Sequence, residues 1–192
     1  MTEGLLRPTR LWSRTDVLSR PSPVPLAPGV YAWWMKEVPM GLDTAGCLTK
    51  DELTLLYVGI SPKRPSATGT ASAQNLRTRI RNHYRGNADS STLRLTLGCL
   101  LGPDLGIRLY RVGGGKRMTF CEGEVVLSDW MAENAFVSWI ESPEPWVVES
   151  DLITSVNLPL NLDRNLSSPS LEFVRATRRA AKETARRSPT RP

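Results

Sequence analysis

Five side chains in this sequence have the chemistry that phosphodiester hydrolysis needs: Tyr31, Tyr57, Arg79, His83 and Glu149. Such a set can position a water, stabilise a phosphate and hold one divalent metal ion. Both tyrosines stand in apolar runs, one residue away from a glycine, in PGVYAWW (28–34) and LTLLYVGIS (53–61). Arg79 and His83 are four residues apart in NLRTRIRNHYR, a spacing at which helical side chains project together. Glu149 sits in the apolar stretch WVVESDLI. Taken singly, each residue also has a purely structural reading. Strand tyrosines are mostly core residues whose hydroxyl finds a partner. A glutamate between apolar residues can be the wet edge of an amphipathic helix. His83 is the only histidine, which excludes a His-rich metal site. One glutamate cannot cage a metal alone, but magnesium often takes only one or two carboxylates plus substrate phosphate.

The elements that would carry these residues can be read from periodicity and punctuation. Val30–Met35 and Leu53–Ile60 read as strands, joined by a loop with Pro39, Gly41 and Gly46, and so as an antiparallel hairpin. Residues 61–72 are a polar loop containing Lys63 and Arg64. A helix is expected over 73–85, with Ser72 as N-cap and Gly86 as its end. On it Leu76, Ile80 and Tyr84 would face the core, while Arg77, Arg81 and Arg85 form a basic stripe. Thr92–Leu101 reads as a buried helix, Ile107–Val112 as a strand ahead of a triple-glycine turn, and Glu124–Asn134 as a helix. Ala135–Glu141 reads as a third long strand and Pro143–Val156 as a helix, with proline tolerated in its first turn. Residues 157–164 are a loop. Leu171–Arg187 is a last helix with little apolar face beyond Leu171, Phe173 and Val174.

Length and composition narrow the class. A chain of 192 residues with 40% hydrophobic content suggests one domain with appendages. The expected division is an irregular Pro/Ser/Arg-rich arm over 1–27, a catalytic body over 28–166 and a basic tail over 167–192. Three widely spaced cysteines form neither a disulfide framework nor a zinc site, which suits a reducing cytoplasm. The first residues lack the apolar core of a signal peptide, and no run is long enough to span a membrane. The net charge is +6, and residues 171–192 carry most of it, with seven Lys/Arg against two Glu. Arg175, Arg178, Arg179 and Lys182 lie there. A basic tail on a nearly neutral body is an electrostatic footprint for nucleic acid, and equally a solvated helix that aids solubility.

The order of the motifs adds more than any one of them. GVY (29–31), YVG (57–59), a helix with Arg79 and His83, then ExxLI from Glu149, then PLN ending at Asn161 resembles the GIY-YIG nuclease family. The resemblance spans about residues 28–164, and its long 61–74 loop is closest to the restriction-endonuclease branch. It implies an α+β fold, a small three-stranded antiparallel sheet flanked by helices, with strands 30–36, 53–61 and 135–141. It implies that both tyrosines point into one cleft and orient or deprotonate water. Arg79 would stabilise the pentacovalent charge, and His83 would assist by hydrogen bond. Glu149 would hold one Mg²⁺ or Mn²⁺, and Asn161 would orient Glu149 or the cleft loop. A tyrosine base would need nearby cations to lower its pKa from ~10. The glycines would leave room for substrate or for neighbouring strands. The expected partner is duplex DNA, held by Lys63, Arg64, Arg77, Arg81, Arg85 and the tail cations, and a homodimer would fit symmetric cutting. Two other classes stand beside this one: a binding module that kept the fold without cleavage, and an interaction protein whose basic helix binds a partner or RNA.

Overall fold

The computed structural model describes residues 2–65 and 73–191. Its frame is a four-stranded antiparallel sheet, and each strand is placed by what its residues bury. β1 (Gly29–Met35) is buried at all seven positions and therefore lies centrally. It pairs with β3 (Leu53–Ser61) on one side and with β6 (Ala135–Glu141) on the other. The three strands expected from the sequence are all present. The fourth, β2 (Thr49–Lys50), corrects the expected count of three. It pairs with Leu53 and Thr54 and makes the order β2-β3-β1-β6. The residues that turn β2 into β3 are Asp51 and Glu52, at φ of 48° and 63°. Two successive positive φ values are what a tight hairpin demands, and Gly or Asn usually marks them. With neither present, this hairpin leaves no signal in the sequence. The triple-glycine turn, by contrast, joins β4 (Tyr110–Val112) to β5 (Arg117–Thr119) in a separate hairpin, so the strand expected from Ile107 is shorter.

The sheet divides two cores, as alternation along a strand requires. Tyr31, Trp33 and Met35 point to one face; Val30, Ala32 and Trp34 point to the other. Between Trp33 and Trp34 the register with β3 shifts, Tyr57 and Leu55 being their partners, so Leu56 is an extra residue. The bulge puts Leu56 into the same core as Tyr31 and Trp33, while Leu55 turns to the other.

On that face lies α3 (Leu76–Arg85). Leu76, Ile80 and Tyr84 are fully buried, as their spacing predicts. The Tyr84 ring meets Trp33 edge-on, and its hydroxyl donates to the Ala135 carbonyl at 2.7 Å. The helix starts three residues later than expected. Its N-cap is Asn75, whose side chain accepts from the Thr78 N–H; the expected cap, Ser72, lies outside the described residues. α4 (Thr92–Leu100), α5 (Gly102–Leu105) and α6 (Gly123–Asn134) complete this layer. The other face is covered by α7 (Pro145–Ser155), through Leu152 and Ile153, and by Leu5.

Both chain ends are built more firmly than composition suggests. The arm is not irregular: it forms α1 (Glu3–Leu6) and α2 (Arg14–Leu18), the second closed by a capping box between Ser13 and Asp16. Trp12 exchanges both backbone hydrogen bonds with Val137 on the outer edge of β6. α8 (Leu171–Arg187) carries more apolar face than its composition suggests. Leu171, Val174 and Ala185 are buried, Ala181 packs beside them, and the helix lies along α4. Phe173, expected in that face, is largely exposed instead. Among the described residues no helix is long and apolar enough to cross a membrane.

Candidate active site

The two tyrosines share a face of the sheet because Tyr31 stands opposite Gly59 and Tyr57 opposite Trp33 in the β1–β3 register. Gly59 is what lets the phenol of Tyr31 lie over the neighbouring strand. A Cβ there would stand 2.5 Å from Tyr31 Oη and 2.6 Å from its Cζ, closer than atoms pack. The other motif glycine, Gly29, makes room for a strand and a helix: a Cβ would collide with the Ile140 carbonyl and with Leu76. So the tyrosine ring and the neighbouring elements occupy the space that both glycines leave.

Tyr31 Oη lies 2.7 Å from His83 Nε2, and His83 Nδ1 lies 2.7 Å from Ser91 Oγ. Ser91 is the N-cap of α4 and also accepts from the Arg94 N–H. His83 is fully buried. Its pKa is pushed well below the usual value by burial and then by the charges of Arg79 and Arg94. The ring is therefore neutral at physiological pH. It does not project beside Arg79, as the four-residue spacing suggests, but backs Tyr31 from behind. Arg79 is half-buried, is held by the Ser90 carbonyl at 3.0 Å, and points into the cleft.

That cleft has a volume of about 400 Å³. Tyr31, Tyr57, Arg79, Glu149 and Asn161 all line it, as do Lys63, Arg64 and Arg178. Glu149 enters from α7, anchored by Leu152 and Ile153 on the opposite layer, so the cleft opens where the two layers meet. The carboxyl makes no hydrogen bond or ion pair among the described residues. Burial pushes its pKa up to about 7; Arg164 and Lys63 pull the other way, and Asp163 adds to the rise.

Asn161 does not touch Glu149 by hydrogen bond. Its Oδ1 accepts from the Val58 N–H at 2.9 Å and its Nδ2 donates to the Val58 carbonyl at 2.8 Å. One turn earlier in the ladder, the Leu160 N–H donates to the Leu56 carbonyl. β2 covers only the first residues of β3, and this loop satisfies the open edge beyond it. Asn161 thus ties its loop to the strand that carries Tyr57.

The tyrosine pKa values run against the expected general base. Tyr31 is pushed up to about 12 by burial, which outweighs the opposing charge of Arg79. Tyr57 lies well above its usual value, from burial and then from Tyr31. In the free protein both phenols are protonated.

The basic stripe of α3 splits. Arg77 Nε donates to the Val24 carbonyl at 2.6 Å and Arg81 to the Leu18 carbonyl at 3.3 Å, which ties the arm to the helix. Arg85 is exposed. On α8, Arg175, Arg178, Arg179 and Lys182 line a second groove beside the cleft. Ser91, Asp163, Arg164 and Trp146 were not expected at the site. Asp163 and Arg164 stand two and three residues beyond the end of the PLN motif, a proximity that points to them; Ser91 and Trp146 have no sequence signal.

No group of three or more His, Cys, Asp or Glu residues converges among the described residues. What the cleft offers a cation is a half-buried carboxylate with no hydrogen-bond or ion-pair partner among the described residues, with Asp163 close enough to shift its pKa. That donor set fits Mg²⁺ or Mn²⁺, which keep waters and take substrate phosphate as further ligands.

The family model for the GIY-YIG catalytic domain matches residues 29–183. The chain belongs to the GIY-YIG family, and with it comes a nuclease-type function on a nucleic-acid substrate. No curated protein and no solved structure matches it. The match starts at Gly29, so the folded arm is an addition to the family domain.

Proposed function

We propose that this protein is a metal-dependent DNA endonuclease that hydrolyses phosphodiester bonds in the cleft. The observation that carries this reading is the convergence of Tyr31, Tyr57, Arg79 and Glu149, from four separate elements, on one cavity of about 400 Å³. Arg79 would meet the charge that develops on the phosphate, in a partly desolvated site where such an interaction counts most. A divalent ion held by Glu149 would polarise the phosphate and acidify a bound water. Tyr31 and Tyr57 would orient the attacking water by hydrogen bonds. Their raised pKa values speak against either phenol ionising in the free enzyme. His83 would fix the rotation of the Tyr31 hydroxyl, since its own depressed pKa works against storing a proton. Lys63, Arg64 and the α8 cations would hold backbone phosphates of a duplex.

The test compares wild type with Glu149→Gln on closed circular DNA, with Mg²⁺ or Mn²⁺ and with chelator. Wild type should nick only with metal. The variant keeps the size of the side chain and loses its charge, so cleavage should fall by at least about a hundredfold while DNA binding and Tm persist. Normal cleavage by Glu149→Gln would overturn the metal assignment. A wild-type protein that binds DNA and cuts none under any metal would leave the binding-module reading in its place.

A further inference from the structure

The cations flanking the cleft are arranged in sequence rather than scattered. On one side α3 walls a shallow groove with Arg79, Arg81 and Arg85. On the other, α8 walls a groove with Arg175, Arg178, Arg179, Lys182 and Arg186. Neither is separate from the cleft. Arg79 lines both the α3 groove and the cleft, and Arg178, Asp163 and Leu162 line both the cleft and the α8 groove. The three depressions are therefore neighbours in a row, with the proposed catalytic residues in the middle one.

The helix that walls one end is built for this. Its apolar positions 174, 181 and 185 pack into the core, and its cations at 175, 178, 179, 182 and 186 recur at helical spacing on another side. Of these, only Arg175 has an acidic partner among the described residues, Glu172 at 3.3 Å. Burial depresses the pKa of both Arg178 and Lys182, and the positive charges of Arg178 and Arg186 depress that of Lys182 further. Like charges held together in a groove are unfavourable in the free protein, and a polyanion relieves them. From Arg178 to Arg186 the helix rises about 12 Å at 1.5 Å per residue. Measured along the duplex axis, that length spans about three or four phosphates of one strand, at about 3.4 Å of axis each.

We infer that one strand of the nucleic acid runs the whole row as one channel, entering along α3, crossing the cleft at Arg79 and leaving along α8. Phosphates on both sides of the scissile bond are then held at once, and the chain cuts within a strand and not at its end. This rests on the nuclease reading for the chemistry, but the course of the strand is tested by binding alone.

The probe is a single duplex of about 40 base pairs, titrated with salt in the presence of chelator, so that no cleavage intervenes. Each phosphate contact contributes about 0.9 to the slope of log K against log salt. Arg179 and Arg186 are exposed, so their replacement leaves the packing of α8 intact. Arg179→Gln with Arg186→Gln should flatten the slope by about 1.8, and Arg85→Gln by about 0.9. Combining all three should flatten it by the sum, because one strand touches both flanks. An unchanged slope in the α8 pair or in Arg85→Gln takes that flank off the path and overturns the inference. If wild type cuts DNA while either slope stays unchanged, the channel fails and the nuclease reading stands. If the slopes add as expected and wild type cuts nothing, the channel stands and the nuclease reading fails.

Discussion

Burial gives the Glu149 carboxyl a pKa of about 7, up from an ordinary value of 4.5, so near neutrality a proton would compete with the proposed metal ion for it. The raised value means that the fold favours the protonated form. Its contribution to stability is complete below pH 4.5 and is lost as pH rises through about 7. Above that pH the free protein holds an uncompensated carboxylate, and a cation removes the penalty. Mn²⁺ should therefore raise Tm more at pH 8 than at pH 6, and Mn²⁺ affinity should fall about tenfold per pH unit below the pKa. In Glu149→Gln the Mn²⁺ effect on Tm should vanish at both pH values; a shift that persists would place the ion elsewhere. Gly59 gives a second test at this scale. Gly59→Ala puts a methyl where the Tyr31 phenol lies, so the ring must leave its contact with His83. Cleavage should drop at least about tenfold, the cost of misplacing a positioned group, while the salt dependence of DNA binding is kept. Full activity would mean that the Tyr31 position does not matter. That Tyr31, Tyr57, Arg79 and Glu149 meet in one cleft was legible because their motifs occur in a fixed order along the chain. Ser91 was not, because it reaches His83 through the packing of α4 on α3, which no local pattern encodes.

Among the elements, α3, α4 and α6 are joined by a side chain that no pattern announces. Arg94 is fully buried in α4. Its guanidinium makes two bonds to Glu124 Oε2, at 3.1 and 2.7 Å, and others to the carbonyls of Glu124 and His83 and to Ser128. Glu124 Oε1 accepts in turn from the Ala88 and Phe120 N–H groups. The network stands behind His83 and hence behind Tyr31. Arg94→Ala should destabilise the protein by about 3–5 kcal/mol, because it strands a carboxylate and several carbonyls away from water. Chemical denaturation measures this directly, and a loss under about 1 kcal/mol would mean that water replaces the guanidinium. From sequence alone Arg94 looks like one cation among many, and its burial follows only from three helices meeting. The elements themselves were more legible. β1, β3, β6 and α3 followed from apolar periodicity, whereas β2 escaped because Asp51 and Glu52 turn without glycine. α8 was placed correctly, but its apolar face was underread: alanines at 181 and 185 contribute little hydrophobicity by composition and pack closely on α4 all the same.

On the scale of the molecule, the arm that precedes the family domain closes it. β6 is an edge strand, and the Trp12 backbone pairs with Val137 while the Ser138 hydroxyl donates to the Leu5 carbonyl. The Trp12 and Trp139 rings stack at 5.3 Å, and Arg10 covers Trp12 at 3.9 Å. Leu5, Val17 and Val24 are fully buried, one of them in the core beneath α7's side of the sheet and two in the other core. Arg77 and Arg81 hold the arm from α3, so the helix that carries Arg79 is braced by residues outside the matched domain. An edge strand left bare invites pairing with another chain. Exposing three such side chains costs about 1.5–3 kcal/mol each, which together is comparable to the whole stability of an ordinary domain. Deleting residues 2–27 should therefore give a protein that aggregates or lacks a cooperative melting transition, although every cleft residue is retained. Leu5→Ala is the milder companion. A cavity there should cost about 2–5 kcal/mol. At about 2–4 °C per kcal/mol for a chain of this size, Tm should drop by roughly 4–20 °C. Size-exclusion chromatography and thermal melts of both variants decide the matter. A truncated chain that stays monomeric with an unchanged Tm would show that the arm rests on the domain without closing it.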